Sequence, residues 1–284
     1  MAAPDPVHLV VGSEGLIGSA IMDRLKRSGK RVLGATRKRT DSLFLDLAGD
    51  PEAWRFPEDV GVAILCAGVT KMEDCRKDPA GSARVNVQGV SAAANRLAAL
   101  GAFVIYPSTN VVFDGSAPRR LADAPPCPTT EYGRQKAAAE KLLLRLGDQV
   151  SVARFTKLVS ARVPFFRRWV EALKEGRAIH PFSDMVMAPS PLSFCLDVLE
   201  RLAETRLPGV IQVSPDQDIT YAEAALRIAR RLGADESLVQ PVRSAESGVV
   251  LDSLPAHTTL DTTRFAAELG MKQPSVWEAM DSVA

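Results

Sequence analysis

Apolar positions along this chain fall into short unbroken runs, and between the runs they recur every three or four residues. The runs are Val7 with Leu9 to Val11, Arg31 to Thr36, Ser42 to Asp46, Val60 to Cys66, Phe103 to Tyr106 and Ser151 to Phe155. Each reads as a strand, and a continuous run is what a parallel strand covered on both faces requires. Helical repeats fill the gaps: Leu16, Ile17, Ile21 and Leu25, then Pro79 to Leu100, then a segment to about Leu146 that Thr129 or Thr130 can cap. Alternating strands and helices predict an α/β fold built on a doubly wound parallel sheet. Beyond Phe155 the alternation becomes irregular. A helix starts near Phe165, two more cover Pro191 to Leu202 and Tyr221 to Leu232, and Gly209 to Val213 is a strand between these two. The expected division is a first domain over residues 1–155 and a smaller region over 156–284.

The junction of the first strand and helix carries the first chemistry. Gly12, Gly15 and Gly18 are spaced G-x-x-G-x-x-G. Residues without Cβ let backbone approach a pyrophosphate, and the helix N-terminus adds N–H groups and positive dipole. Gly12, Ser13, Gly15, Leu16 and Ile17 are therefore the expected cradle. The spacing differs by one residue from the G-x-G-x-x-G fingerprint, and a ligand-free tight turn gives the same glycines. The strand before and the helix after favour a nucleotide site.

In such sheets ligands lie at the carboxyl ends of the strands. The ends here are Arg37-Lys38-Arg39, Asp46-Leu47, Cys66-Ala67-Gly68 and Ser108. An NAD site usually has an acidic residue at the second strand end to accept from the ribose 2′-hydroxyl. Three cations stand there instead, which favours NADP(H) over NAD(H), with Arg37 on the 2′-phosphate; a solvated basic turn is the alternative.

Tyr132 and Lys136 lie four apart on the third helix and share a face. A phenol is a poor acid–base group at neutral pH, and a neighbouring ammonium lowers its pKa toward working pH. Thr109, at the end of the fifth strand, could then hydrogen-bond the oxygen that gains or loses the proton.

Composition narrows the class. With 35 basic and 34 acidic residues the net charge is +1, so no global field favours nucleic acid or a membrane surface. Cys66, Cys75, Cys127 and Cys195 are scattered and show no metal-ligand spacing, which fits a reducing compartment without a disulfide framework. His8, His180 and His257 precede no ligand pattern. The N-terminus lacks signal-peptide regions and no apolar run spans a membrane, so a cytoplasmic protein without a metal is expected.

Taken together, the motifs resemble an extended short-chain dehydrogenase/reductase, specifically its dTDP-4-dehydrorhamnose reductase branch. Gly12-x-x-Gly15-x-x-Gly18 resembles the family's nucleotide turn. Cys66-Ala67-Gly68-Val69-Thr70 with Glu73, Asp78-Pro79 and Asn86-Val87 resembles its fourth-strand loop and following helix. Ser108-Thr109-Asn110-Val111-Val112-Phe113-Asp114-Gly115 is similar to S-T-D-Y-V-F-D-G, Tyr132-Gly133-Arg134-Gln135-Lys136 to Y-G-x-x-K, and Leu260 to Phe265 to a closing R-L-D-T-x-K-L. The resemblance implies that Tyr132 is the catalytic acid, Lys136 its partner and ribose ligand, and Thr109 the third member. It implies a chain that partly returns to the first domain, and a reductase of a keto group on a nucleotide-linked sugar. An epimerase or dehydratase is a related reading. A non-catalytic regulatory subunit is another, since a subunit of methionine adenosyltransferase keeps this fold. A homodimer is compatible with each.

The substrate half departs from the branch. D-Q-x-G-x-P-T appears as Asp184 to Ser190 without its Gln and Gly, Leu254-Pro255 replaces an Arg-Pro, Thr259 replaces the next Arg, and Asn110 and Val111 replace Asp and Tyr. An altered or less polar substrate is expected, between the Thr109 loop and the segments around Arg167 and Met187. Arg154, Lys157, Arg167 and Arg168 are the candidate diphosphate ligands. Trp169 could stack on a ring, although a packed apolar face is the preferred reading of that helix.

Overall fold

A computed structural model describes residues 5–38 and 42–284. Arg39, the third cation of the basic turn, lies outside them. The chain separates into two compact units. The first holds the residues up to Val112 with Pro126–Arg154 and Leu196–Ile211; the second holds Phe113–Pro125, Phe155–Cys195 and Gln212–Ala284.

The first unit is organised by a seven-stranded sheet. Its strands are β1 (Val7–Val11), β2 (Val32–Thr36), β3 (Leu43–Phe44), β4 (Val60–Leu65), β5 (Phe103–Thr109), β6 (Val150–Phe155) and a last strand at Gly209–Val213. They lie in the order last strand, β6, β5, β4, β1, β2, β3. The pairs β3–β2, β2–β1, β1–β4 and β4–β5 are parallel. Order reverses between β1 and β4, and in open α/β sheets ligands bind at such a switch point, outside the carboxyl ends of the strands. Nearly every residue of β4, β5 and β6 is buried, which explains the uninterrupted apolar run of β4, while β6 also buries Ser151 and Arg154. Leu9, Val11, Ala63, Leu65, Val104, Tyr106 and Val152 form the core with Val90, Leu97 and Leu143 from the helices. Each fully buried Leu or Val contributes about 1.5–3 kcal/mol.

The helices of this unit include α1 (Leu16–Arg27), α2 (Met72–Lys77), α3 (Pro79–Ala83), α4 (Val90–Ala99) and α5 (Glu131–Leu143). Thr130 caps α5 by accepting from Gly133 N at 3.0 Å. The helix expected over Pro79 to Leu100 is instead α3 and α4 joined by a π-helical turn, Arg84–Gly89. A Cβ on Gly89 would lie 2.0 Å from Leu47 O, so the wide turn lets this backbone close on the Leu47 segment. The third strand has two residues where five were expected, and Phe44 is exposed, as befits a short edge strand.

In the second unit the helices Pro164–Lys174, Tyr221–Leu232 and Val276–Asp281 enclose Phe166, Trp169, Met187, Ile228 and Met280. Thr220 and Ser275 each form a capping box, with Glu223 and Glu278. Trp169 packs 4.7 Å from Phe165, 5.8 Å from Phe166 and 6.3 Å from Tyr221 between ring centroids. The packed-face reading of Trp169 therefore holds. The Asp218 carboxylate accepts from Thr258 N at 2.9 Å and ties down the segment before Leu260. Among the described residues, no helix is long and apolar enough to cross a membrane.

Candidate active site

The glycine turn sits at the end of β1. Gly12 has φ +83°, and a Cβ there would lie 2.5 Å from Ala67 N; one on Gly18 would lie 2.1 Å from Gly12 O. The three strands of backbone therefore meet at van der Waals contact only because both positions are glycine. Gly15 begins α1 without a side-chain cap, and no acidic residue occupies the first turn. The N–H groups of Leu16 and Ile17 are left for an anion. These features fit a dinucleotide pyrophosphate. Ser13 differs from expectation: its backbone N–H and hydroxyl both face Ala35 O, at 3.2 and 3.4 Å, so it braces the turn against β2.

At the end of β2, Arg37 is exposed, while Lys38 pairs with Glu14 of the glycine turn at 3.0 Å. Asp46 accepts from Ala48 N at 3.0 Å and holds its own turn, and Leu47 is buried in the core. Cys66 donates its N–H to Val11 O at 2.8 Å. Burial pushes its thiol up to about 12, opposed by the charge of Lys136. Gly68 leaves room for Asn86 Oδ1, which would be 3.0 Å from a Cβ.

Tyr132 and Lys136 lie on the first two turns of α5. Lys136 is buried, donates to Pro107 O at 2.7 Å and lies 3.7 Å from the Tyr106 ring centroid. Burial lowers its pKa to about 7, against the raising effects of Glu140 and then Cys66. Tyr132 departs from the sequence expectation. Burial raises its pKa, and Cys75 adds to the rise. The lowering expected from Lys136 is not among the causes acting on the phenol; the Lys136 nitrogen instead meets Pro107 O and the Tyr106 ring. A phenol held in its protonated form is a proton donor, not a standing base.

Thr109 ends β5 half-buried; its Oγ1 accepts from Val111 N at 3.2 Å. Ser108 turns the other way and donates to the Glu140 carboxylate, so the hydroxyl expected at the cofactor is held inside the fold. Glu140 also takes a two-pronged contact from Arg154, whose Nη2 lies 2.7 Å from Oε2. Both side chains are buried, which removes Arg154 from the diphosphate candidates. Arg167 is exposed and lies 3.6 Å from Glu171, Lys157 and Arg168 are exposed, and Met187 is 2% exposed in the core of the second unit. Sequence reasoning missed Glu140, although its place one turn after Lys136 was a usable signal. It also assigned no role to Asn86 or Gln135, which are buried and bonded to each other at 2.9 Å. Among the described residues none of the four cysteines forms a disulfide, and there is no cluster of metal-ligating side chains.

Residues 8–284 match the model of the RmlD substrate binding domain. The chain belongs to that family. This places it in the extended short-chain dehydrogenase/reductase group, among oxidoreductases, as the motifs implied. A dTDP-4-dehydrorhamnose reductase of Streptomyces griseus is 28% identical over 290 residues, covering 97% of this chain and 92% of the relative. The methionine adenosyltransferase 2 subunit beta of Rattus norvegicus is 25% identical, covering 93% and 83%. The fold matches the crystal structure of dTDP-4-dehydrorhamnose reductase from Bacillus anthracis in complex with NADP, with a TM-score of 0.85 and 21% identity over 99% and 98% of the two chains.

Proposed function

We propose that this RmlD-family protein reduces a keto group on a nucleotide-linked sugar, using NADP(H) in preference to NAD(H). The observation that carries the reading is the Lys136–Pro107 contact at 2.7 Å, which fastens the helix of Tyr132 to the strand end that presents Thr109. Gly12, Gly15 and the first N–H groups of α1 hold the pyrophosphate, Arg37 meets the 2′-phosphate, and Lys136 faces the ribose. A bound reduced nicotinamide supplies a hydride for the carbonyl carbon. Tyr132 gives its proton to the carbonyl oxygen, while the Thr109 hydroxyl donates a hydrogen bond that orients it. The product is the alcohol, and Tyr132 recovers its proton from solvent. Loss of the Gln at Met185 and of the Arg at Thr259 supports a substrate other than dTDP-4-dehydrorhamnose.

The test is oxidation of NADPH followed by absorbance with a panel of nucleotide-linked and free keto sugars, in wild type and Tyr132→Phe. Turnover by wild type that Tyr132→Phe abolishes, with cofactor affinity retained, is expected. A Tyr132→Phe protein of near-normal rate would falsify the proton-donor role. The methionine adenosyltransferase 2 subunit beta among the relatives favours a second reading, a cofactor-binding regulatory subunit. No turnover of any carbonyl, with a partner enzyme bound, would select it.

A further inference from the structure

We propose that Gln135 is a positioning residue that couples the Cys66–Val69 loop to the helix of Tyr132 and Lys136, and thereby sets the affinity for the dinucleotide. The inference rests on the cofactor site proposed above. Asn86, on the π-helical turn, grips the loop at two points: its Oδ1 accepts from Val69 N at 2.8 Å and its Nδ2 donates to Val69 O at 2.9 Å. The second hydrogen of Nδ2 goes to Gln135 Oε1 at 2.9 Å. Gln135 Nε2 then faces Ser82 Oγ at 2.8 Å, Glu131 Oε1 at 3.0 Å and Pro79 O at 3.2 Å. Each amide is 3% exposed, and every polar atom of both has a partner. Such a network has few alternative arrangements in a low-dielectric interior.

Its ends are what matter. One end is the residue after Gly68, in the loop that packs Ala67 against Gly12. The other is a residue of α5 flanked by Tyr132 and Lys136. Helix α5 is already fixed by its Thr130 cap, by buried Ala139 and Leu143, and by Lys136 on Pro107. What Gln135 adds is a bond to the residue that holds the loop, so a shift of either reaches the other.

The experiment measures the dissociation constants of NADP(H) and NAD(H) by fluorescence, together with Tm, in wild type, Asn86→Ala, Gln135→Met, the double variant and Gln135→Glu. Gln135→Met keeps the volume and loses the bond to Asn86, and is expected to weaken binding about tenfold. The double variant is expected to be no weaker than Asn86→Ala alone, because the two residues act as one unit. Gln135→Glu keeps an acceptor for Asn86 but loses the donors to Ser82 and adds charge beside Glu131, so Tm falls while affinity stays near wild type. Wild-type affinity in Gln135→Met, or single effects that multiply in the double variant, overturns the proposal. Affinity that tracks Tm across all variants overturns it as well, and if Gln135→Glu does not fold, the Asn86–Gln135 cycle decides. A wild type that binds neither dinucleotide overturns the cofactor site itself, an outcome distinct from binding that ignores Gln135.

Discussion

The Lys136 ammonium lies on the face of Tyr106, 3.7 Å from the ring centroid, and donates to the carbonyl of the next residue, Pro107, at 2.7 Å. The ring and the carbonyl replace part of the water that burial removes, yet the pKa still falls from 10.5 to about 7. Between those values the unfolded chain holds a proton at this position that the folded chain does not. Stability therefore rises with pH across that window, and the contribution is lost as pH falls to 7. Lys136→Met removes the dependence. The Tm of the variant relative to wild type is expected to be most favourable at pH 7 and to decline toward pH 10. A difference that is flat over that range refutes the assignment.

The basic turn after β2 separates into two roles. Lys38 is paired with Glu14, whereas Arg37 is exposed. Arg37→Ala is expected to weaken NADP(H) about tenfold or more, as loss of a hydrogen bond to a charged group predicts, and to leave NAD(H) unchanged. Lys38→Ala should change NADP(H) affinity less, because its charge is already partly answered by Glu14. Fluorescence titration of both cofactors decides, and equal wild-type affinities remove the claimed preference.

The sequence made the cofactor half legible because that half is written locally. Continuous apolar runs mark strands buried on both faces, and glycines mark the turn where backbone must pass within contact of Ala67. The four-residue spacing of Tyr132 and Lys136 puts them on one helix. What it did not show are relationships across the chain. Ser108 and Arg154 both looked available for ligands, but Glu140, 32 and 14 residues away, holds them inside the fold. The direction of the Tyr132 shift depends on burial, which spacing along a helix does not report. The π-helical turn likewise goes with a contact of Gly89 with Leu47, 42 residues earlier in the chain, which local spacing does not report.

The Glu140–Arg154 pair yields its own prediction. With side chains 2% and 3% exposed, removal of either partner leaves the other's buried charge without this ion pair. Glu140→Ala is expected to cost about 3–5 kcal/mol in chemical denaturation. Glu140→Leu combined with Arg154→Met should recover most of that loss, since neither charge then remains. A double variant as unstable as Glu140→Ala would mean that the carboxylate matters through Ser108 instead.

Gly12 and Gly29 separate dihedral strain from steric approach. Both have positive φ, +83° and +73°, so a side chain at either meets a backbone conformation that L-residues rarely adopt. Around Gly29 nothing lies within 4 Å of an added Cβ. Gly29→Ala is therefore expected to cost about 1–2 kcal/mol of stability and to leave cofactor affinity unchanged. At Gly12 the added Cβ would lie 2.5 Å from Ala67 N and 2.6 Å from Ala67 Cα, contacts that no rotation relieves. The Cys66–Gly68 loop must then move off the end of β1, and dinucleotide binding should be lost along with more stability than at Gly29. Replacing Ala67 by Gly in the Gly12→Ala background removes only the Cβ contact at 2.9 Å, so it should not restore binding. Denaturation and cofactor titration of the three variants check this. Retained cofactor affinity in Gly12→Ala would show that the loop tolerates the displacement and that the glycine serves the turn alone.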